Sequence, residues 1–389
     1  MTSASVLSVV SPANHLVHGM GTEWEAPTWP AITVDEAVTA LAHFPIAGEL
    51  TALHWHSPRP FSAAALVQTT RGMFLLKRHD HRLRTIEGLA EEHAFAAHLA
   101  ANGVSVPDLM RVTDGASATA IGDWRYELHR KAAGADMYRD RLSWTPFLSL
   151  DHAHAAGVAL AKVHLAARGF DAPARCRQPL VASFTILPAS DPMAATEYYV
   201  TARPALAAFL AKRPWQRQLA PLVVQLGDGL SDLLAGQPPL WTHNDWHPSN
   251  LLWAEDGTVQ TVFDFGLADR TCAVHDIATA IERTAVRWLE LGQGADDAIG
   301  DPATAQALLA GYRTVAVLSR ADLTAILRLV PLVHLEFALS EIDYFTSVVV
   351  DPASAALAWD GYLIGHAEWF QSAAGQDFLQ RIALPVHGQ

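Results

Sequence analysis

Hydrophobic spacing divides the chain into a strand-rich stretch followed by a longer helical one. Val34, Val38, Leu41 and Ala42 form an apolar helical stripe that Thr33 and Glu36 begin as a capping box and Pro45 ends. Residues 50–55, 64–70 and 73–77 read as strands, with a tight turn at Arg71-Gly72 between the last two. Helical spacing returns over 85–102 and stops at Asn102-Gly103. Residues 118–121 and 123–130 follow as a hairpin turned by Gly122. Residues 1–30, with scattered Ser, Pro, Gly and aromatic positions, read as an irregular arm.

After Gly134 the pattern is mainly helical, over 151–167, 203–211, 218–234, 274–292, 303–318, 321–346 and 353–373. One hairpin interrupts it: Leu251-Leu252-Trp253 and residues 259–263, separated by Glu255-Asp256-Gly257. The pattern therefore predicts an α+β chain in three parts. These are an arm over 1–30, a small antiparallel sheet carrying one helix over 31–131, and a larger helical part over 132–389.

Composition narrows the partners. The net charge of -13, from 27 basic and 40 acidic residues, disfavours nucleic acid and anionic membrane surfaces. No run of 18 apolar residues occurs and the first fifty residues lack Lys and Arg, so a cytoplasmic protein without a secretory segment is expected. Cys176 and Cys272 form no disulfide framework or metal knuckle. Oligomeric state is not legible. With only four lysines, Lys77, Lys131, Lys162 and Lys212, the position of each is informative.

The chemistry concentrates in Thr242-His243-Asn244-Asp245-Trp246-His247-Pro248-Ser249-Asn250, a polar cluster before an apolar strand. Asp264, followed by Phe265-Gly266, ends the second strand of the hairpin, which returns the chain beside Asn250. Asn250 and Asp264 thus offer oxygens for a hard cation, with the Asp245 carboxylate one loop away, the parts phosphoryl transfer needs. In the N-terminal part Lys77 ends an apolar strand, and Glu92 shares a helical face with Phe95, Ala96 and Leu99.

These residues resemble the aminoglycoside phosphotransferase and choline/homoserine kinase-like family, whose catalytic loop usually reads H-G-D-x-H-x-x-N. His243, Asp245, His247 and Asn250 match, and Asn244 stands in place of the common Gly. His247 favours this small-molecule branch over protein kinases. The stretch from Glu92 to Gly103 and Val106-Pro107 resembles the family's E...L...G-x-x-V-P pattern.

The resemblance implies a two-lobed protein-kinase-like α+β fold, with ATP and Mg²⁺ as cofactors and a small-molecule hydroxyl as acceptor. It makes Asp245 the catalytic base or hydroxyl-orienting carboxylate, Asn250 and Asp264 the magnesium ligands, and His243 and His247 supports of the loop. Lys77, held by Glu92, would reach the α- and β-phosphates, and the backbone near Arg130 and Ala132 would meet the adenine edge. Residues 56–62, where a nucleotide-covering loop is expected, contain no glycine. Glu282, Glu336, Glu341 and Tyr344 lie on segments expected to approach the acceptor, their acidity suggesting an amine; a solvated acidic face is the competing reading.

Other readings are plainer. Trp288 and Tyr344 are expected to fill the core, His164 to pack, and the His54/His56 and His79/His81 pairs to be solvated. Two further functions are weighed: a zinc-dependent hydrolase using His243 and His247, against which Asn244 replaces the needed Glu and Pro248 opposes a helix, and a catalytically silent nucleotide-binding regulatory protein.

Overall fold

The expected capping box opens the first helix in a computed structural model of the chain, which describes residues 8–9 and 15–384. Contacts divide the chain into two compact units, Met1–Ala97 with Ser105–Ala133, and His98–Val104 with Gly134–Gln389. The first contains β1 (Ser8–Val9), β2 (Val17–His18), β3 (Trp24–Glu25), α1 (Val34–Leu41), β4 (Leu50–His56), β5 (Ala63–Thr69) and β6 (Gly72–Asp80). Most of α2 (Ile86–Ala101), then β7 (Thr119–Ile121) and β8 (Trp124–Arg130), complete it. Its sheet runs β1-β4-β5-β6-β8-β7, antiparallel throughout except that β1 lies parallel to β4. Residues 15–30, expected to be irregular, include the short antiparallel pairing of β2 with β3.

Thr33 Oγ1 accepts from the Glu36 amide at 3.2 Å, and Glu36 Oε2 accepts from the Thr33 amide at 3.3 Å. Glu36 also receives Arg78 Nη1 and the Tyr126 hydroxyl, each at 2.6 Å, so one carboxylate ties α1 to β6 and β8. The buried stripe is Ala37, Ala40 and Leu41, while Val38 is exposed. The charge contacts of Glu36 rotate the helix away from the face that apolar spacing alone suggests.

The second unit begins with α3 (Leu150–Ala166), α4 (Pro192–Thr201), α5 (Pro204–Leu210), α6 (Trp215–Gly227) and α7 (Leu230–Ala235). Next come β9 (Pro239–Thr242), β10 (Leu251–Trp253), β11 (Val259–Val262) and β12 (Asp269–Cys272). It ends in α8 (Ala273–Thr284), α9 (Pro302–Arg313), α10 (Arg320–Leu329), α11 (Leu335–Tyr344), α12 (Pro352–Leu357), α13 (His366–Gln371) and α14 (Ala373–Ala383). The single helix expected over 218–234 is split at Gly229, whose φ of 67° is left-handed and breaks the helix between α6 and α7. Where α3 crosses α9, Gly157 faces the Leu308 carbonyl and Gly311 faces that of His154; a Cβ at either position would overlap backbone. That close approach fixes α9, and with it the helices around it, against α3. Among the described residues no helix is long and apolar enough to cross a membrane.

Candidate active site

The polar cluster lies between two pairings. β9 leads into it and pairs antiparallel with β12, while β10 leaves it and pairs with β11. The first pairing has no counterpart in the sequence expectation, because four-residue strands twenty-six residues apart carry no alternation long enough to read.

Asn244 has a φ of 60°. Among non-glycine residues Asn is one of the few that adopts this left-handed region readily, which explains how it can occupy a turn position that otherwise favours Gly. Its side chain is held as well. Asn244 Oδ1 accepts from Thr242 Oγ1 at 2.9 Å and from Thr271 Oγ1 at 3.2 Å, and lies 3.2 Å from His275 Nδ1. A glycine would reproduce the turn but not these bonds.

The loop backbone hangs on Asp276, in the first turn of α8. Its Oδ2 accepts from the His243 amide at 3.0 Å and its Oδ1 from the Asn244 amide at 2.8 Å. His164 Nε2 lies 3.0 Å from Oδ2, and His164 Nδ1 lies 2.9 Å from the Tyr312 hydroxyl, so α3, α8 and α9 converge behind the loop. Burial by itself raises the Asp276 carboxyl, but the His164 hydrogen bond and charge, His243 and the Asn244 amide together hold it below its ordinary value. His164 packs, as expected, and it packs as a polar strut.

His243 is completely buried, and burial lowers its pKa although Asp276, the Phe263 carbonyl and Asp264 oppose the shift. The neutral ring then has one tautomer that satisfies both neighbours. Nε2–H donates to the Phe263 carbonyl at 3.0 Å, and Nδ1 accepts from the Asp245 amide at 3.2 Å. Neither nitrogen is left for a metal, and residues 243–247 are not helical, so the paired-histidine geometry of a zinc hydrolase is absent here.

Asp245 is surrounded by donors. Asn250 Nδ2 donates to its backbone carbonyl and to its Oδ2, both at 2.9 Å. Arg283, from α8, forms an ion pair with Oδ1, and His247 Nε2 lies 3.4 Å from the same oxygen. Because Asn250 spends its amide nitrogen on Asp245, its Oδ1 is the atom it can offer a cation. Asn250 also accepts the Phe263 amide through its backbone carbonyl at 3.1 Å, which places the chain entering Asp264 alongside it. Asp264 has a φ of 62°, a costly conformation for an Asp that concentrates at functional turns. The oxygen-only donors of Asn250 and Asp264 suit Mg²⁺.

In the first unit, strand register puts Lys77 opposite Glu127, and Nζ lies 3.2 Å from Glu127 Oε1. Glu127 also contacts His79 and His129, each at 3.1 Å, and His93. Burial opposes its charge, yet Lys77, His129 and His79 keep its carboxyl well below the ordinary range. His79 is thus buried in an ionic cluster rather than solvated. Glu92 is buried on α2, one residue before His93. The Arg130 amide donates to the Asp108 carbonyl at 2.8 Å and the Lys131 amide to that of Met73 at 3.0 Å, and Ala132 follows the strand. The glycine-free 56–62 turn is pinned by the Ser57 amide on Ala64 O and by the His18 amide on Pro58 O, both at 2.8 Å.

The four residues expected near an acceptor have different surroundings. Glu282 lines a cleft with Asn244, His275, Arg283, His334 and Tyr362. Glu336 instead anchors the 183–186 segment, accepting from the hydroxyls of Ser183 and Thr185 at 2.6 Å each and from the amides of Thr185 and Ile186 at 2.8 and 3.1 Å. Glu341 is fully buried, and burial, only partly offset by Arg283, pushes its carboxyl up to about 8. Tyr344 is buried against Phe345, and Trp288 is buried against His366.

Fold and loop together define a small-molecule kinase of the two-lobed protein-kinase-like class. Residues 61–323 match the phosphotransferase enzyme family, and the chain belongs to it. A homoserine kinase of Azorhizobium caulinodans is 26% identical over 320 residues, which is 80% of this chain and 87% of that protein. One from Rhodopseudomonas palustris is 27% identical over 67% of this chain and 69% of its own length. In fold the chain is similar to a microcompartment-associated aminopropanol kinase, at 19% identity and a TM-score of 0.58 over 90% of this chain and 99% of that one. An amicoumacin kinase in complex with AMP-PNP, Ca²⁺ and Ami is similar at 17% identity and a TM-score of 0.53, over 85% and 94% of the two chains.

Proposed function

We propose that this kinase transfers the γ-phosphoryl group of ATP to a hydroxyl of an amine-bearing small molecule of the homoserine, amino-alcohol or aminoglycoside kind. The observation that carries this reading is the Asp245–Asn250 pair, locked by two hydrogen bonds at 2.9 Å on a loop whose backbone Asp276 fixes. Asp245 is suited to accept the hydrogen bond of the acceptor hydroxyl and aim its oxygen at the phosphorus. A largely dissociative transfer asks for such positioning more than for a strong base.

Asn250 Oδ1 and the Asp264 carboxylate would hold Mg²⁺. When bound, that ion neutralises phosphate charge. Lys77, oriented by Glu127, would bind the α- and β-phosphates, and the backbone at Arg130 and Ala132 would border the base. Homoserine and aminopropanol, named in the similar kinases, each carry an amine and a hydroxyl.

An ADP-release screen across homoserine, amino alcohols, amino sugars and aminoglycosides, with Mg²⁺ and ATP, tests the proposal. Turnover with an amine-bearing alcohol is the expected result. Turnover only with acceptors lacking an amine, or none with any acceptor, would overturn the substrate class.

A further inference from the structure

At the cleft that Glu282 and His334 line stands a group whose chemistry differs from the oxygen donors of Asn250 and Asp264. Glu282 on α8, His334 at the start of α11 and His366 at the start of α13 are all buried, and one donor atom from each lies within 4.8 Å of the others. We infer that these three residues form a binding site for a zinc-class divalent cation, distinct from the oxygen site that serves the phosphates.

The ring of His334 is already in the tautomer a metal ligand needs. Its Nε2–H donates to the Leu363 carbonyl at 3.0 Å, which leaves Nδ1 with the lone pair. That Nδ1 is buried and has no hydrogen-bond partner. An imidazole fixed by a backbone carbonyl through one nitrogen and open at the other is the usual outer support of a metal-bound histidine. An orphaned buried acceptor is otherwise costly, by about 1–3 kcal/mol, and a cation would remove that cost.

The other two donors are equally fixed. His366 Nδ1 lies 2.8 Å from Glu282 Oε1, and the His366 ring stacks on Trp288 with centroids 3.5 Å apart. Trp288 in turn donates from Nε1 to the Glu282 carbonyl at 2.7 Å. The His334 and His366 ring centroids are 5.3 Å apart. The Leu363 carbonyl and the residues entering His366 belong to a π-helical stretch, Ala358–Gly365, an irregularity frequent at functional sites.

Two imidazoles and a carboxylate are a donor set for zinc and its neighbours, whereas Mg²⁺ and Ca²⁺ take oxygens. Tetrahedral bonds of about 2.0–2.2 Å would need the Glu282–His366 pair to open by roughly half an ångström and His334 to close on it. Glu282 and His334 both line the cleft, so the site borders it. Glu282 immediately precedes Arg283, the partner of Asp245, so occupancy bears on the same helix turn.

A second three-donor group among the described residues, His93, Glu127 and His129, supplies the internal control, since Glu127 there already engages Lys77. The test uses the full chain stripped with chelator and held in excess Mg²⁺, titrated with Zn²⁺ by calorimetry and with Co²⁺ by visible absorption. One Zn²⁺ per chain and the intense bands of four-coordinate Co²⁺ are expected. His334→Gln and His366→Gln should each weaken Zn²⁺ binding about a hundredfold or more, and His93→Gln should leave it intact.

Absence of the Co²⁺ bands in the wild-type chain would overturn the site without any variant having to fold. Binding lost in His93→Gln but retained in His334→Gln would also overturn it. Mg²⁺-dependent ADP release, measured on the same samples, reports on phosphotransfer separately, so either idea can fail alone.

Discussion

Asp276→Asn replaces one carboxylate oxygen by an amide NH₂ at the point from which the 243–250 loop hangs. The two oxygens now receive the His243 amide at 3.0 Å, the Asn244 amide at 2.8 Å and His164 Nε2 at 3.0 Å. An Asn can accept on one side only, so at least one donor faces another donor. A hydrogen bond to a charged group is worth about 1.5–3 kcal/mol, and a buried amide left unpaired costs about 1–3 kcal/mol. The expected loss of stability is therefore roughly 2.5–6 kcal/mol, read by denaturant unfolding.

The second readout is kinetic, because a structural role alone would leave the folded enzyme unaffected. A displacement of Asp245 by an ångström costs about 10²-fold in rate. At a temperature where circular dichroism shows the variant folded, kcat for ADP release with an acceptor should fall by about that factor while KM for ATP changes little. A folded variant with wild-type kcat would refute the view that Asp276 positions the loop.

Three other outcomes follow from single residues. Glu341 has a folded pKa of about 8 against an ordinary 4.5, so its contribution to stability is full below about pH 4.5 and is lost as pH rises through 8; Glu341→Gln should flatten the melting temperature between pH 5 and pH 8.5 relative to wild type, and parallel profiles would contradict this. Gly311→Ala would force a methyl into the His154 carbonyl and should cost about 1–3 kcal/mol in unfolding experiments, whereas an unchanged midpoint would show that α3 and α9 have room to part. Asn244→Val, at φ 60°, should lose more stability than Asn244→Gly, by at least about 1–2 kcal/mol, and equal losses would mean that backbone conformation is not what selects the residue.

Local signals were legible and distant ones were not. The Thr33–Glu36 box, the turns at Arg71-Gly72 and Gly122, and the 251–262 hairpin are each encoded within a few neighbouring residues, and the structure contains them. The octet at 243–250 was readable because so many polar groups stand before an apolar strand. Asp276, Arg283 and Glu127 left no such mark. Each is a lone charge within a helix or strand, and only the fold reveals that Asp276 meets two loop amides, that Arg283 meets Asp245, or that Glu127 stands across the sheet from Lys77. Helix ends were blurred for a related reason. Apolar spacing runs unbroken through 321–346, while the chain turns between α10 and α11 to deliver His334 and Glu336.

The central claim is that Asp245 acts on the acceptor hydroxyl. Asp245→Asn is the substitution of choice, since Ala would leave buried Arg283 facing a void. Wild type and variant are compared by calorimetric Mg·ATP binding and by ADP release with the best acceptor from the screen. Nearly unchanged nucleotide affinity with turnover reduced by about 10² to 10⁴ is the predicted result. Turnover within a few-fold of wild type, with the nucleotide still bound, would contradict it.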